Sequence, residues 1–144
     1  ERGKLDEAAH ASALGNVSFT TEMADLADCD LVVEAVVESY ELKAGIFREL
    51  DEVVTSPDAV LATNTSSIPI IDIAMNTSRP ERVIGLHFFN PAPVMKLVEV
   101  IPSVRTDDDV TRLVTDFATD VLGKVVVAAK DRAGFVVNML LVPY

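Results

Sequence analysis

Four short segments of the chain are almost continuously apolar and rich in β-branched residues, which restricts the possible folds more than any other feature. They are 30–36 (DLVVEAV), 59–64 (AVLATN), 82–89 (RVIGLHFF) and 125–129 (VVVAA). Strands of a parallel sheet are covered on both faces and therefore lack the alternation of polar and apolar residues. The pattern predicts parallel strands buried on both faces.

Amphipathic stretches separate several of these strands. After Ser39, a predicted N-cap, apolar residues recur at helical spacing as far as Val54. A second such stretch follows Thr106 and Asp109, which form a capping-box pattern, and Gly123 ends it. Because strands and helices alternate, we expect right-handed crossovers and a doubly wound α/β sheet.

The two ends of the chain differ from the middle. A first, Ala-rich helix is predicted to reach Leu14 and to end at Gly15 as its C-cap. At 130–134 (KDRAG) the last strand gives way to an apolar helix, which is the best candidate for a domain boundary. The chain starts without methionine and stops inside that apolar helix, so we interpret it as part of a longer protein.

The net charge of −11 argues against a nucleic-acid partner and against binding to an anionic membrane surface, since both need clustered Lys and Arg. It does not exclude a small anionic ligand, because helix N-termini and a few local cations can bind one. No apolar run approaches the roughly 20 residues that span a bilayer, and the start lacks the layout of a signal peptide. Since Cys29 is the single cysteine, no internal disulfide can form, and a cytoplasmic location is expected.

Polar residues follow three of the predicted strands. Glu38 comes after the first, 64–67 (NTSS) after the second, and His87 with Asn90 closes the third. Ligands of an open parallel sheet bind beyond the carboxyl ends of its strands, and these ends share one edge. We therefore expect these residues to converge on a site. A simpler explanation stays open for Ser66 or Ser67, either of which could be the N-cap of the next helix.

His87 ends one apolar run and Glu99 lies inside the next, LVEVI. Burying either residue costs free energy unless it is paired, so we predict that they pair with each other. The carboxylate would orient the imidazole and stabilise its charged form, which suits a proton acceptor. Two alternatives remain, a structural histidine and an edge strand that turns Glu99 toward solvent. Two histidines without a cluster of cysteines or carboxylates at ligand spacing argue against a metal site.

The glycines do not form the Gly-x-Gly-x-x-Gly turn that binds dinucleotide phosphates. Either no dinucleotide binds, or the first strand and its turn lie upstream of Glu1. The start of the chain without methionine favours the second explanation.

Four blocks, DLVVEAVVE, ATNTSSIPI, GLHFFNPAPVMKLVEV and DRAGFVVNMLLVPY, resemble signature blocks of the L-3-hydroxyacyl-CoA dehydrogenase family, which includes bacterial 3-hydroxybutyryl-CoA dehydrogenases. The resemblance covers nearly the whole chain. It implies a truncated Rossmann-like NAD-binding domain over residues 1–131. Residues 132–144 would be the first helix of an all-α C-terminal domain for dimerisation and substrate binding.

The resemblance also assigns roles to individual residues. The family's catalytic histidine falls on His87 and its partner carboxylate on Glu99, in agreement with the pairing predicted above. The hydroxyl-binding serine falls on Ser66 and the substrate-contacting asparagine on Asn138, which could otherwise bond a helix carbonyl. Residues implied to lie near the nicotinamide half of NAD are Glu38, Lys43, Ser66 and Asn90. This revises the interpretation of Lys43, which helical alternation alone places with Glu41 on a solvated face.

The implied reaction is reversible hydride transfer between NAD and carbon 3 of an acyl-CoA thioester, such as 3-hydroxybutyryl-CoA, in fatty-acid β-oxidation or butyrate metabolism. The implied assembly is a homodimer formed through the C-terminal domain. Two alternatives are a dehydrogenase of another hydroxy acid and a non-catalytic protein that has kept the fold. We expect the 144-residue chain alone to be inactive.

Overall fold

A sheet of five strands forms the centre of the part of the chain that the computed structural model describes, residues 6–141. The strands lie side by side in the order in which they occur in the sequence. They are β1 (Leu31–Glu34), β2 (Val60–Thr63), β3 (Val83–Phe88), β4 (Leu97–Pro102) and β5 (Val125–Ala128). The helices are α1 (Glu7–Gly15), α2 (Tyr40–Val53), α3 (Ile70–Ala74), α4 (Asp108–Asp116) and α5 (Val137–Leu141). Two 3₁₀ turns, Met23–Leu26 and Pro80–Arg82, and a π-helical turn after α4, Phe117–Val121, complete the description.

Three of the four strand pairs are parallel. β1, β2 and β3 share one direction, β4 is antiparallel to β3, and β5 is parallel to β4. This topology, with helices on both faces, confirms the predicted Rossmann-like α/β fold with a mainly parallel sheet.

The expectation for 125–129 is wrong in two respects. β5 runs opposite to β1–β3, and at the end of the sheet it is not buried on both faces, since Val125 is 57% exposed. A parallel connection needs about a dozen or more residues, usually with a helix. The link 89–96 between β3 and β4 is too short for that, so β4 reverses the direction and β5 follows β4.

Alternate residues of β2 and β3 point to opposite faces of the sheet. Helices cover the apolar side chains on both of these faces. On one side, α2 and α3 pack on the sheet through Phe47, Leu50, Ile70 and Ile73, with Leu61, Val83 and Ile101 beneath them. On the other side, α4 contributes Val110 and Val114, which pack with Val60, Ile84 and Val98. At Gly85, a Cβ atom would lie only 2.7 Å from Ile70 Cδ1 and 2.9 Å from Ile101 Cβ. The missing side chain therefore lets α3 pack directly on β3.

Two predicted helix boundaries are confirmed. The Ser39 hydroxyl caps α2 by accepting a hydrogen bond from the amide of Leu42 at 3.4 Å. The helical region that begins with α4 ends at Gly123, whose φ of +63° lies in the left-handed region that favours glycine.

Two other boundaries are corrected. Gly15 is the last residue of α1, and Asn16 is its C-cap. The capping box of Thr106 and Asp109 is wrong, because α4 begins after Asp107 without a side-chain cap. The Thr106 hydroxyl instead donates to the carbonyl of Val83 at 2.6 Å, so it is not available to the helix. The predicted helix before residue 6 and the end of the C-terminal segment, 142–144, lie outside the described residues.

Candidate active site

The ends of β1, β2 and β3 meet at one edge of the sheet, as the sequence predicts. Asn64, directly after β2, accepts a hydrogen bond through its Oδ1 from the amide of Phe88 at the end of β3, at 2.8 Å. Glu38, beyond β1, contacts residues 65–67, which follow β2. Side chains from three strand ends therefore converge there.

His87 and Glu99 are direct neighbours in the antiparallel pairing of β3 with β4. The Nδ1 atom of His87 lies 2.8 Å from Oε2 of Glu99. Glu99 is fully buried and His87 is 6% exposed. The predicted pair is confirmed, and the alternative in which an edge strand turns Glu99 to solvent is wrong, because β4 lies between β3 and β5.

The second oxygen of Glu99, Oε1, accepts hydrogen bonds from the amides of Val136 and Val137, both at 2.9 Å. One carboxylate oxygen can accept both of these bonds. A carboxylate only accepts, so neutral His87 carries its proton on Nδ1 and leaves the lone pair of Nε2 free. Among residues 6–141, no group is hydrogen bonded to Nε2. This arrangement suits a proton acceptor.

Residues 65–67, here called the serine turn, surround the carboxylate of Glu38. Its Oε1 atom accepts from the hydroxyl of Thr65 at 2.6 Å and from the amides of Ser66 and Ser67 at 2.9 and 3.0 Å. The hydroxyls of Ser67 and Ser66 also reach this oxygen, at 3.0 and 3.2 Å. Burial alone would raise the pKa of Glu38, but these hydrogen bonds and the nearby Lys43 outweigh it and lower the pKa from 4.5 to about 2. Glu38 is therefore ionised at neutral pH.

Neither serine caps the next helix. The first amides of α3, those of Ile70 and Ile71, donate to the carboxylate of Asp131 at 2.7 and 2.8 Å. The N-cap explanation for Ser66 and Ser67 is wrong. Asp131 was not singled out by sequence, since its partners lie far away along the chain.

Lys43 is 1% exposed, so its interpretation as part of a solvated face is wrong. Its Nζ atom lies 2.8 Å from Oε1 of Glu34 and 3.6 Å from Oε2 of Glu38. Glu34 also accepts from the hydroxyl of Thr63 at 2.7 Å and from the amide of Val36 at 2.6 Å. Sequence reasoning missed Glu34, although a carboxylate inside the apolar run LVVEAV carries the same signal as Glu99.

Asn138 lies on α5 and reaches the serine turn, since its Nδ2 atom is 3.4 Å from the carbonyl oxygen of Ser66. It therefore does not bond a carbonyl of its own helix. Gly134 and Phe135 precede α5 with φ values of +79° and +48°. The Phe135 ring packs against that of His87, with 5.8 Å between centroids. The structure thus brings Ser66 and Asn138 into contact and places His87 beside the start of α5.

Polar groups at this edge are able to hydrogen bond to a bound NAD. The side chain of Glu38 is 37% exposed, and Asn90 is exposed after β3. Such carboxylate and amide groups can bind ribose hydroxyls and a carboxamide. Lys43 is buried between two carboxylates, so it supports Glu38 and does not face outward. No glycine-rich turn for the pyrophosphate occurs in the sequence.

Within residues 6–141, no group of three or more His, Cys, Asp or Glu residues is arranged to hold a metal ion. No helix in this part of the chain is both long enough and apolar enough to cross a bilayer.

Comparison with known proteins identifies the family. Residues 1–132 match the family model described as 3-hydroxyacyl-CoA dehydrogenase, NAD binding domain. The chain is 56% identical over 142 residues to a 3-hydroxybutyryl-CoA dehydrogenase of Mycobacterium tuberculosis, a match that covers 99% of this chain and 50% of that protein. The chain thus spans about half the length of the curated relatives it matches.

Solved structures agree with this result. The crystal structure of FadB2 from M. tuberculosis matches with a TM-score of 0.96 and 56% identity, over 99% of this chain and 50% of the other. That of (S)-3-hydroxybutyryl-CoA dehydrogenase from Ralstonia eutropha matches with a TM-score of 0.90 and 44% identity, over 97% of this chain and 49% of the other. The chain belongs to the 3-hydroxyacyl-CoA dehydrogenase family and corresponds to its NAD-binding domain.

Proposed function

We propose that the full-length protein catalyses the NAD-dependent, reversible oxidation of L-3-hydroxyacyl-CoA to 3-oxoacyl-CoA, with a short-chain substrate such as 3-hydroxybutyryl-CoA. The observation that carries this proposal is the buried pair of His87 and Glu99, joined at 2.8 Å at the edge where the serine turn also lies. Several relatives and solved neighbours carry the name 3-hydroxybutyryl-CoA dehydrogenase, which supports the choice of substrate.

His87 acts as the general base. Its free Nε2 accepts the proton of the 3-hydroxyl group while hydride leaves the same carbon. NAD, when bound, accepts that hydride. Glu99 stabilises the imidazolium that forms, because its Oε2 already holds the proton on Nδ1. A positioned general base contributes about a hundredfold to ten-thousandfold in rate.

The role of Ser66 follows from the single proton of the substrate hydroxyl. That proton goes to His87, so the hydroxyl of Ser66 can bind the substrate oxygen only by donating a hydrogen bond to it, and Ser66 keeps its proton throughout. In the structure, the Ser66 hydroxyl points to ionised Glu38 at 3.2 Å, which is the longest of the contacts to that oxygen. It must therefore turn away from Glu38 when substrate binds. Asn138, in contact with the serine turn, would anchor the carbonyl side of the substrate.

The wider organisation follows the same proposal. Residues 1–131 form the NAD-binding domain, in which Glu38, Ser66 and Asn90 face the nicotinamide half and Lys43 holds Glu38. Residues 132–144 begin a helical domain that completes the acyl-CoA site and forms a homodimer. The enzyme works in the cytoplasm, in β-oxidation or butyrate metabolism.

The test is the oxidation of NADH by acetoacetyl-CoA, followed by absorbance, in the full-length protein and in two histidine variants. We expect His87→Ala to lose about a hundredfold or more in kcat. The control is His10→Ala, because His10 is exposed on α1. Equal activity of the wild type and His87→Ala would refute the assignment of the base. A folded wild type that binds NAD and is inactive on acetoacetyl-CoA, yet active on another hydroxy acid in a substrate panel, would refute the substrate.

A further inference from the structure

We propose that Glu38 is a positioning residue that acts as an internal anion ligand of the serine turn. This role of Glu38 is additional to contact with the cofactor, and its effect on catalysis rests on the proposed function. The turn by itself is an anion cradle, so a free carboxylate of the right size can replace the Glu38 side chain.

Five donors of the serine turn point at Glu38. Two backbone amides and three hydroxyl groups of residues 65–67 converge on its single oxygen Oε1. Without an acceptor at that point, the amide of half-buried Ser66 would have no partner within residues 6–141, and that of exposed Ser67 would keep only the hydroxyl of Thr65 at 3.4 Å. Leaving a half-buried donor without a partner is costly, so the shape of the turn depends on an anion in this position.

Lys43 supports Glu38 from the side opposite the serine turn. The other oxygen of Glu38, Oε2, faces Nζ of Lys43 at 3.6 Å. Lys43 is itself held by Glu34 at 2.8 Å and by the carbonyl oxygen of Val36 at 3.3 Å. Glu38 follows β1 in the sequence, whereas Lys43 extends from α2. The carboxylate is thus held from both sides, by the serine turn and by a buried ammonium group.

Ser66 is the member of the serine turn that can most easily leave Glu38. Its hydroxyl makes the longest of the contacts to Oε1, whereas Thr65, Ser67 and the two amides lie closer. An oxygen of a carboxylate has about two lone-pair positions, so five donors exceed its capacity. Ser66 can therefore turn to the substrate while the other donors keep Glu38, and with it the turn, in place.

The experiment uses the full-length protein with Glu38→Ala, which removes the atoms of one acetate ion. We expect kcat to fall about a hundredfold, the effect of misplacing a substrate-binding group by about 1 Å. Added acetate should restore a saturable part of this loss. Acetamide has the same shape as acetate but no charge, so it should not restore activity. Chloride at equal ionic strength should not restore activity either. The matched control is Glu52→Ala, since Glu52 is exposed on α2.

A second readout needs neither NAD nor acyl-CoA. Acetate at ten times its dissociation constant should raise the melting temperature of Glu38→Ala by roughly 3 °C. It should leave the wild type and Glu52→Ala unchanged. Because this measurement is independent of activity, it tests the cradle even if the proposed function fails.

Three results would overturn the proposal: wild-type kcat in Glu38→Ala, an equal effect of acetate on the Glu52→Ala control, or absence of any melting shift. If Glu38→Ala does not fold, Glu38→Gln decides the question, because it keeps the shape of the side chain and removes the charge that the turn needs. A partial loss of kcat in Glu38→Gln, smaller than that of His87→Ala, would support a charged positioning residue. Wild-type kcat in Glu38→Gln, or a loss as large as that of His87→Ala, would contradict the proposal.

Discussion

The substitution Glu99→Gln keeps a buried side chain of the same shape beside His87 but changes which nitrogen of the imidazole carries the proton. Oε1 of Glu99 receives two amide donors, from Val136 and Val137. Glutamine must place its single oxygen there, which turns its NH₂ group toward Nδ1 of His87. That nitrogen then has to accept, so the proton of the neutral imidazole moves to Nε2. A histidine with a proton on Nε2 cannot take the proton of the substrate.

The expected magnitudes follow from these contacts. The variant keeps all three hydrogen bonds in neutral form and loses their charge assistance, which reduces the free energy of unfolding by about 1–3 kcal/mol. The rate suffers more, because the wrong tautomer removes the general base, and kcat should fall about a hundredfold to ten-thousandfold. Glu99→Gln should therefore lose far more of its activity than of its stability.

The assay is the reduction of NAD by L-3-hydroxybutyryl-CoA in the full-length protein, the direction in which His87 is the proton acceptor, together with ¹⁵N NMR of the imidazole and a denaturant titration. Glu52→Gln is the control, since Glu52 is exposed. The double variant His87→Ala with Glu99→Gln should be no slower than His87→Ala alone, because the two residues act as one unit. A kcat within tenfold of the wild type, or a proton still on Nδ1 in the NMR spectrum, would refute this reasoning.

Two further predictions concern stability. The pKa of Glu38 is lowered to about 2 in the folded state. The stabilisation that depends on its charge should therefore be complete above about pH 4.5 and disappear as the pH falls toward 2. Urea titrations of wild type and Glu38→Gln should give a difference in unfolding free energy that shrinks over this range, and a constant difference would disprove it. Gly85→Ala should cost about 1–3 kcal/mol, because the new Cβ would lie 2.7 Å from Ile70 Cδ1 and 2.9 Å from Ile101 Cβ. Gly15→Ala is its control, with no atom within 4 Å of the new Cβ, and equal melting temperatures for the two variants would contradict the packing argument.

The sequence predicted the pair of His87 and Glu99 because two polar residues in apolar strands must satisfy each other. The same reasoning applied to Glu34 predicts that it has a buried partner, although it does not say which residue that is. The assignment of Lys43 to a solvated face with Glu41 is wrong, because Lys43 lies four residues before Phe47 and seven before Leu50 and so shares their buried face of α2.

Other features had no local signal. An apolar run does not encode the direction of its strand, so VVVAA itself does not show that β5 is reversed and exposed. The signal for the reversal is the short link 89–96, which lies before β4 and outside that run. The cap of α3 is supplied by Asp131, whose contacts with Ile70 and Ile71 form only after the chain has folded. Thr106 resembled a helix cap because its alternative partner, the carbonyl of Val83, lies in a distant strand.

The two oxygens of Glu99 serve different parts of the molecule. One holds the imidazole of His87, and the other holds the amides that begin α5. Contacts that share one side chain are thermodynamically linked, and linkage is reciprocal. Any ligand that binds more tightly when α5 is seated on Glu99 must therefore also favour the orientation of His87.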